Sequence, residues 1–273
     1  MAAPDAARTP LLELRGISKR FGAVQALSDV QFDVCAGEVV ALVGDNGAGK
    51  STLIKIIAGI YRADGGAFRW QGHDVAVATP NDAAALGIAT VYQDLALCDN
   101  LDVVANLFLG REIATPGGPL GVMDEVTMER RAVEVLRRLS VKIPSVRIPI
   151  AALSGGQRQS VAVARSVLGD NKVVLLDEPT AALGVAQTHE VLELIKRLRT
   201  QGLGVVLISH NLANVFEVAD RITVLRLGRY VGTYDAKATR HEHLIAFMTG
   251  AAQGGEAPAV SEGASGHREA PAS

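Results

Sequence analysis

The junction between residues 39–43 (Val-Val-Ala-Leu-Val) and the glycine-rich run that follows constrains this chain more than any other stretch. A five-residue apolar run ended by glycine reads as a strand buried on both faces, the kind that parallel sheets use. The next eight residues, Gly44-Asp45-Asn46-Gly47-Ala48-Gly49-Lys50-Ser51, match G-x-x-x-x-G-K-[ST]. Glycines let a backbone wrap closely enough for its N–H groups to meet phosphate oxygens. The lysine adds charge at the outer phosphates, and the serine hydroxyl suits Mg²⁺. A helix opening at Ser51 would add the positive end of its dipole. Strand, phosphate loop and helix in that order predict an α/β fold that binds a nucleotide through its phosphates.

Three further apolar runs, at residues 88–92, 173–176 and 204–208, also read as buried strands. Helical patterns separate them, as a parallel sheet covered on both faces requires. Val191, Leu192, Ile195 and Leu198 form one apolar stripe that Gly202 stops, which predicts a helix between the last two runs. A second texture surrounds this one. Leu12, Leu14, Val30, Phe32 and Val34 alternate with polar residues, and residues 67–70 before the turn at Gly72 continue the pattern. These read as a half-buried antiparallel sheet. From Leu95 to about Val163 strand signals vanish, and residues 101–109 and 126–139 are amphipathic, which predicts a mostly helical insertion. Thr239 and Glu242 have capping-box spacing for a last helix closing at Gly250.

Residues 1–9 and 251–273 are rich in small and polar residues and are expected to be disordered. No N-terminal apolar core suggests a signal peptide, and no run approaches the roughly 18 apolar residues of a membrane span. Cys35 and Cys98, the two cysteines, have no metal or redox spacing. These features predict a soluble, cytosolic chain with free thiols. The net charge of −2, with basic residues dispersed, gives no reason to expect a nucleic-acid partner.

Polar groups end the apolar runs on what would be a single rim. Asp177 and Glu178 close the third run, suited respectively to holding Mg²⁺ and to orienting or deprotonating a water. Gln93 ends the second, and His210 follows the fourth. In open α/β sheets ligands bind at the carboxyl ends of the strands. Each residue alone reads more simply as structural or solvated; their shared position favours a site. Ser154 and Gln157 in Leu153-Ser154-Gly155-Gly156-Gln157 form a capping box, and the two glycines expose N–H groups at a helix start. This is a second anion-binding terminus, far in sequence from the first. A head-to-tail dimer would use both, each chain covering the phosphates held by its partner.

Taken together, these segments resemble the ATP-binding cassette (ABC) transporter ATPases over about residues 10–250. Residues 44–52, Thr52 included, resemble the Walker A loop, Gln93 the Q-loop, Leu153 to Gln157 the family signature, residues 173–178 the Walker B strand, and His210 the switch histidine. Phe21, in Lys19-Arg20-Phe21-Gly22, resembles the aromatic that stacks on adenine. The resemblance implies a RecA-like P-loop core with an antiparallel β subdomain and an inserted α-helical subdomain at about 96–163. It also implies ATP and Mg²⁺ as cofactors, with Ser51, Gln93 and Asp177 at the metal and Glu178, His210, Gln93 and Lys50 at the chemistry. Implied partners are a second nucleotide-binding domain in a head-to-tail dimer, transmembrane permease subunits and, indirectly, an extracytoplasmic solute-binding protein. The implied location is peripheral, on the cytoplasmic face of the inner membrane.

One position departs from the family. After Pro179-Thr180-Ala181-Ala182-Leu183 an aspartate is usual, and here Gly184 follows. Residues 177–184, 106–112 and 209–212 resemble ribose/xylose/fructose-type sugar importers, of which this single cassette is like the shorter, fructose-type members. Importers of other small solutes remain the nearest alternative. A soluble cassette ATPase acting on DNA or ribosomes fits less well, since no long heptad arm interrupts the cassette and no second cassette is present. A small-molecule kinase would leave the signature segment and His210 without a role.

Overall fold

The computed structural model describes residues 9–115 and 122–251, so both terminal stretches expected to be disordered lie outside the described residues except for Thr9 and Ala251. Strands β1 (Leu12–Phe21) and β2 (Val24–Val34) form an antiparallel hairpin and lead into β3 (Val39–Val43). Helix α1 (Lys50–Ile57) follows, then β4 (Gly65–Trp70), β5 (His73–Val75), α2 (Pro80–Ala85) and β6 (Ile88–Val91). A block without long strands comes next: α3 (Val103–Phe108), α4 (Glu125–Arg138), a 3-10 turn at Ile150–Ala152 and α5 (Gly155–Val167). The chain then returns through β7 (Val173–Asp177), α6 (Val185–Thr200), β8 (Gly204–Ile208), α7 (Leu212–Val218), β9 (Arg221–Arg226), β10 (Arg229–Asp235) and α8 (His241–Thr249).

The strands form one sheet in the order β5-β4-β1-β2-β10-β9-β3-β8-β7-β6. Strands β9, β3, β8, β7 and β6 run parallel, and β5, β4, β1 and β2 pair antiparallel. The two textures of the sequence are thus parts of one sheet, joined through β10. Every side chain of β3 is fully buried. Because strand side chains alternate, Val39, Ala41 and Val43 enter one core while Val40 and Leu42 enter the other. The first core lies under the helical block and continues into it through Met128, Ala132, Val135 and Leu136 of α4. The second lies between the parallel strands, α1 and the antiparallel hairpins. The fold is therefore an α/β cassette with a parallel core, a β flank and a helical block.

Several elements differ from the sequence reading. Strands β9 and β10 were not expected. In β9 the apolar run is broken by Thr223, whose buried hydroxyl bonds Thr233 on β10 at 2.9 Å, so the polar break pairs within the sheet. Tyr92 lies beyond the end of β6, whereas β7 extends one residue further, to Asp177. The last helix begins at His241 with Arg240 as its N-cap and no side-chain capping bond. Glu242 therefore sits one position too early to bond Thr239 reciprocally, and that capping box does not form. Gly250 does end the helix, in the left-handed conformation at φ 81°. Among the described residues no helix is long and apolar enough to cross a membrane.

Candidate functional site

The phosphate loop lies between the carboxyl end of β3 and the start of α1. Two of its glycines have no room for a side chain. At Gly44, a Cβ would sit 2.2 Å from the Leu225 carbonyl oxygen, and at Gly49, 2.6 Å from Leu27 Cδ2. The loop is thus seated on β9 from one side and on β2 from the other. Gly49 caps α1 without any side-chain bond, and no acidic residue lies in the helix's first turn, so its first N–H groups remain available to an anion. Lys50 folds back along the loop, its Nζ donating to the carbonyls of Gly44 at 2.6 Å and Asp45 at 3.0 Å. Burial lowers the Lys50 pKa, while Glu178, Asp45 and Asp177 oppose that shift.

A cavity of about 360 Å³ opens over this loop. Its walls are residues 46–52 together with Gln93, Asp177 and Glu178, with Val24 to Ala26 of β2 and Ile208 of β8. Three parallel strands therefore deliver polar groups to one place, as their shared direction requires: β3 through the loop, β6 through Gln93 and β7 through Asp177 and Glu178. Burial raises the Asp177 pKa, and the adjacent Glu178 charge raises it further. Glu178 has a left-handed backbone at φ 51°, a conformation costing about 1–3 kcal/mol outside glycine and concentrated at functional sites. Its N–H donates to the Ile208 carbonyl at 3.0 Å, which fixes β7 to β8 at this turn. Glu178 Oε2 lies 2.9 Å from Nδ1 of His210, whose side chain is otherwise exposed to solvent. The carboxylate and the imidazole thus form a pair at the rim, although His210 is not part of the cavity wall.

Ser51, Gln93 and Asp177 supply hydroxyl, amide and carboxylate oxygens to the same cavity. Such hard oxygen donors fit Mg²⁺, which is commonly held by one or two protein groups together with substrate phosphates. The partly buried Asp177, close to Glu178, would be stabilised as an anion by a cation there.

The other predicted binding segment lies elsewhere. Ser154 and Gln157 form the expected capping box at the start of α5. Ser154 N–H donates to Gln157 Oε1 at 3.0 Å, and Gln157 N–H to Ser154 Oγ at 3.2 Å. Gly155 and Gly156 pack against Leu183 and Gln187 at the start of α6. Leu153 is buried in the helix-side core, so its side chain anchors the segment rather than facing a ligand. None of these five residues lines the loop's cavity. Phe21, at the end of β1, is 42% exposed and pairs across the hairpin with Val24 of the cavity wall. Gly184 is extended at φ −71° and caps α6 with only the return bond, from its own N–H to Gln187 Oε1 at 3.2 Å.

Sequence reasoning missed Val24, Gln25 and Ala26 because they carry no reactive group and reach the cavity only through the hairpin. It named Asn106 only within the segment 106–112 and missed that it is fully buried. Its amide side chain receives the Cys98 N–H at 2.7 Å and donates to the carbonyls of Cys98, Leu101 and Asp102. An isolated polar residue in the apolar pattern of α3 was its one signal. Arg165 of α5 donates to the carbonyls of Ala96 and Leu109, tying α5 to the segment after Gln93.

A phosphate loop, strand-end carboxylates and a separate capped helix define a nucleotide-hydrolysing cassette. The sequence pattern of the ABC transporter family matches residues 27–181, and the chain belongs to that family as its ATP-hydrolysing component. It is 47% identical over 250 residues to a fructose import ATP-binding protein of Rhizobium meliloti, covering 90% of this chain and 96% of the relative. A xylose/arabinose import ATP-binding protein of Sulfolobus acidocaldarius is 46% identical over 244 residues, covering 89% and 96% respectively. Among solved structures, an ATP-binding cassette of an ABC transporter in its ADP conformation superposes with a TM-score of 0.75 at 25% identity, over 88% of this chain and 95% of that one.

Proposed function

We propose that this chain is the ATPase subunit of a sugar importer, and that two copies close head to tail around two Mg·ATP. The observation that carries the hydrolytic part is the shared cavity. Residues 46–52, Gln93, Asp177 and Glu178 meet there, while the Ser154 helix terminus does not line it. The sugar class is supported by the names of the two relatives described above, each covering nearly the whole chain.

In this reading the loop N–H groups and Lys50 hold the β and γ phosphates, with Gly44 to Thr52 wrapping them and Phe21 stacking on the base. Ser51, Asp177 and Gln93 would hold Mg²⁺, which would neutralise charge on the phosphates. Glu178 orients a water and takes its proton as the oxygen attacks the γ-phosphorus and the bond to ADP breaks. His210, bonded to Glu178, keeps that carboxylate aimed and adds a donor beside the transferred phosphoryl group. The partner's Ser154, Gly155 and Gly156 complete the cradle from across the interface. Closure passes to permease subunits through the helical block after Gln93, where Arg165 links α5 to that segment. An extracytoplasmic binding protein supplies the sugar, and the chain works peripherally on the cytoplasmic face of the membrane.

The test uses a strain lacking the gene, complemented with the wild type or Glu178→Gln and assayed for uptake of labelled pentoses and hexoses. Wild type should restore uptake of at least one sugar and Glu178→Gln none. The purified variant should still bind ATP while turnover falls by about a hundredfold or more. Retained turnover would remove Glu178 as the base. Unaltered uptake of every sugar on deletion would remove the sugar assignment.

A further inference from the structure

Phe21 is poorly restrained by its own strand. It is the last residue of β1, beside the turn at Gly22, with 42% of its surface exposed. A half-exposed ring at a strand end is a poor stacking platform unless something fixes its plane. Tyr61 does so here. The two ring centroids lie 5.1 Å apart with their planes 68° from parallel, the edge-to-face geometry favoured by aromatic quadrupoles.

Tyr61 is itself tied to the phosphate loop through α1. Its N–H donates to the Lys55 carbonyl at 3.0 Å, in the last turn of the helix that opens at Lys50. The Lys55 ammonium lies 5.5 Å from the Tyr61 ring centroid. Three residues on, Asp64 straps the same segment to the end of β1. It accepts from Lys19 Nζ at 2.8 Å and from the Arg20 N–H at 2.7 Å, and its own N–H donates to the Ser18 carbonyl at 2.9 Å. Lys19 in turn places its ammonium 5.5 Å from the Phe21 ring centroid. A continuous path thus runs from the phosphate loop along α1 to Tyr61 and Asp64, and from them to Phe21.

We infer that Tyr61, strapped to β1 by Asp64, is a positioning residue that sets the plane of Phe21 for a nucleotide base at a fixed reach from the phosphates. The inference rests on the reading of Phe21 as the base platform. Tyr61 touches no nucleotide; it acts through Phe21. Phosphate binding should therefore be insensitive to it, and binding of a base should not.

The experiment measures calorimetric dissociation constants for Mg·ATP and for Mg·inorganic triphosphate on the full chain. Tyr61→Leu should weaken ATP binding about three- to tenfold, the range expected for losing one aromatic pair, and leave triphosphate binding unchanged. Tyr61→Phe, which keeps the ring, should bind both as the wild type does. Phe21→Ala should weaken ATP at least as much as Tyr61→Leu, again sparing triphosphate. Should Tyr61→Leu not fold, the exposed substitution Asp64→Asn carries the test, with a smaller ATP-selective loss expected. Equal weakening of ATP and triphosphate, or no ATP-selective loss in whichever of these two variants folds, overturns the inference. If Phe21→Ala alone loses ATP selectivity, the platform stands and Tyr61 has no part in it. If Phe21→Ala leaves selectivity intact, the platform itself falls, and the inference with it.

Discussion

At Gly49 an added Cβ would stand 2.6 Å from Leu27 Cδ2 and 2.9 Å from the Ala26 carbonyl, on a backbone at φ +100°. At Gly47 the backbone is also left-handed, at φ +81°, but nothing lies within 4 Å of the same point. Both substitutions to alanine carry backbone strain of about 1–3 kcal/mol, and only Gly49→Ala adds a collision with backbone. Gly49→Ala should therefore lower unfolding free energy more than Gly47→Ala, measured by denaturant titration, and should also cost nucleotide affinity. Equal effects would mean that strain alone dictates both glycines. At this scale the sequence was readable where chemistry concentrates. Lys50, Asp177, Glu178 and Gln93 stand at strand ends that their apolar runs announce, and the structure brings them to one cavity. Val24, Ala26 and Tyr61 were not readable, because an apolar or aromatic residue acquires its role from what the hairpin and α1 place beside it.

Helix α6 illustrates the element scale. Its N-cap, Gly184, stands where the family usually has aspartate, and it offers no side-chain acceptor to the helix. The backbone there is extended at φ −71°, and an added Cβ would meet only Gln187 Oε1, at 3.9 Å. An aspartate fits without rearrangement and could accept the Gln187 N–H. Gly184→Asp should raise stability by a few tenths of a kcal/mol, seen as a small upward shift in Tm. A lowered Tm would contradict this account of the cap. The parallel strands were the most legible elements, since apolar runs of four or five residues are too short for a buried helix and suit a strand buried on both faces. Strands β9 and β10 were hidden by Thr223 and Thr233, polar residues that satisfy each other across the ladder. The false capping box before α8 shows the converse: suitable residues at the right spacing do nothing when the helix starts one position later.

For the whole molecule, the question is where a catalytic unit begins and ends. One chain holds a phosphate loop with its carboxylates in one cavity and a second helix terminus, capped by Ser154 and Gln157, outside that cavity. A single triphosphate held by the loop reaches only the first of these termini. The sequence already carried this division, because the two motifs stand more than a hundred residues apart with a helical block between them. Their failure to converge within one chain could be known only from the fold. If each site is completed by a partner's Ser154, Ser154→Arg damages the neighbour's site and Glu178→Gln damages its own. The most direct measurement mixes two purified variants, Ser154→Arg and Glu178→Gln, each inactive alone but still able to bind ATP. In a mixed head-to-tail dimer one site receives an intact Glu178 from one chain and an intact Ser154 from the other. ATP turnover should therefore reappear on mixing. If the mixture stays as inactive as its components, or if Ser154→Arg alone hydrolyses ATP normally, the shared site is contradicted.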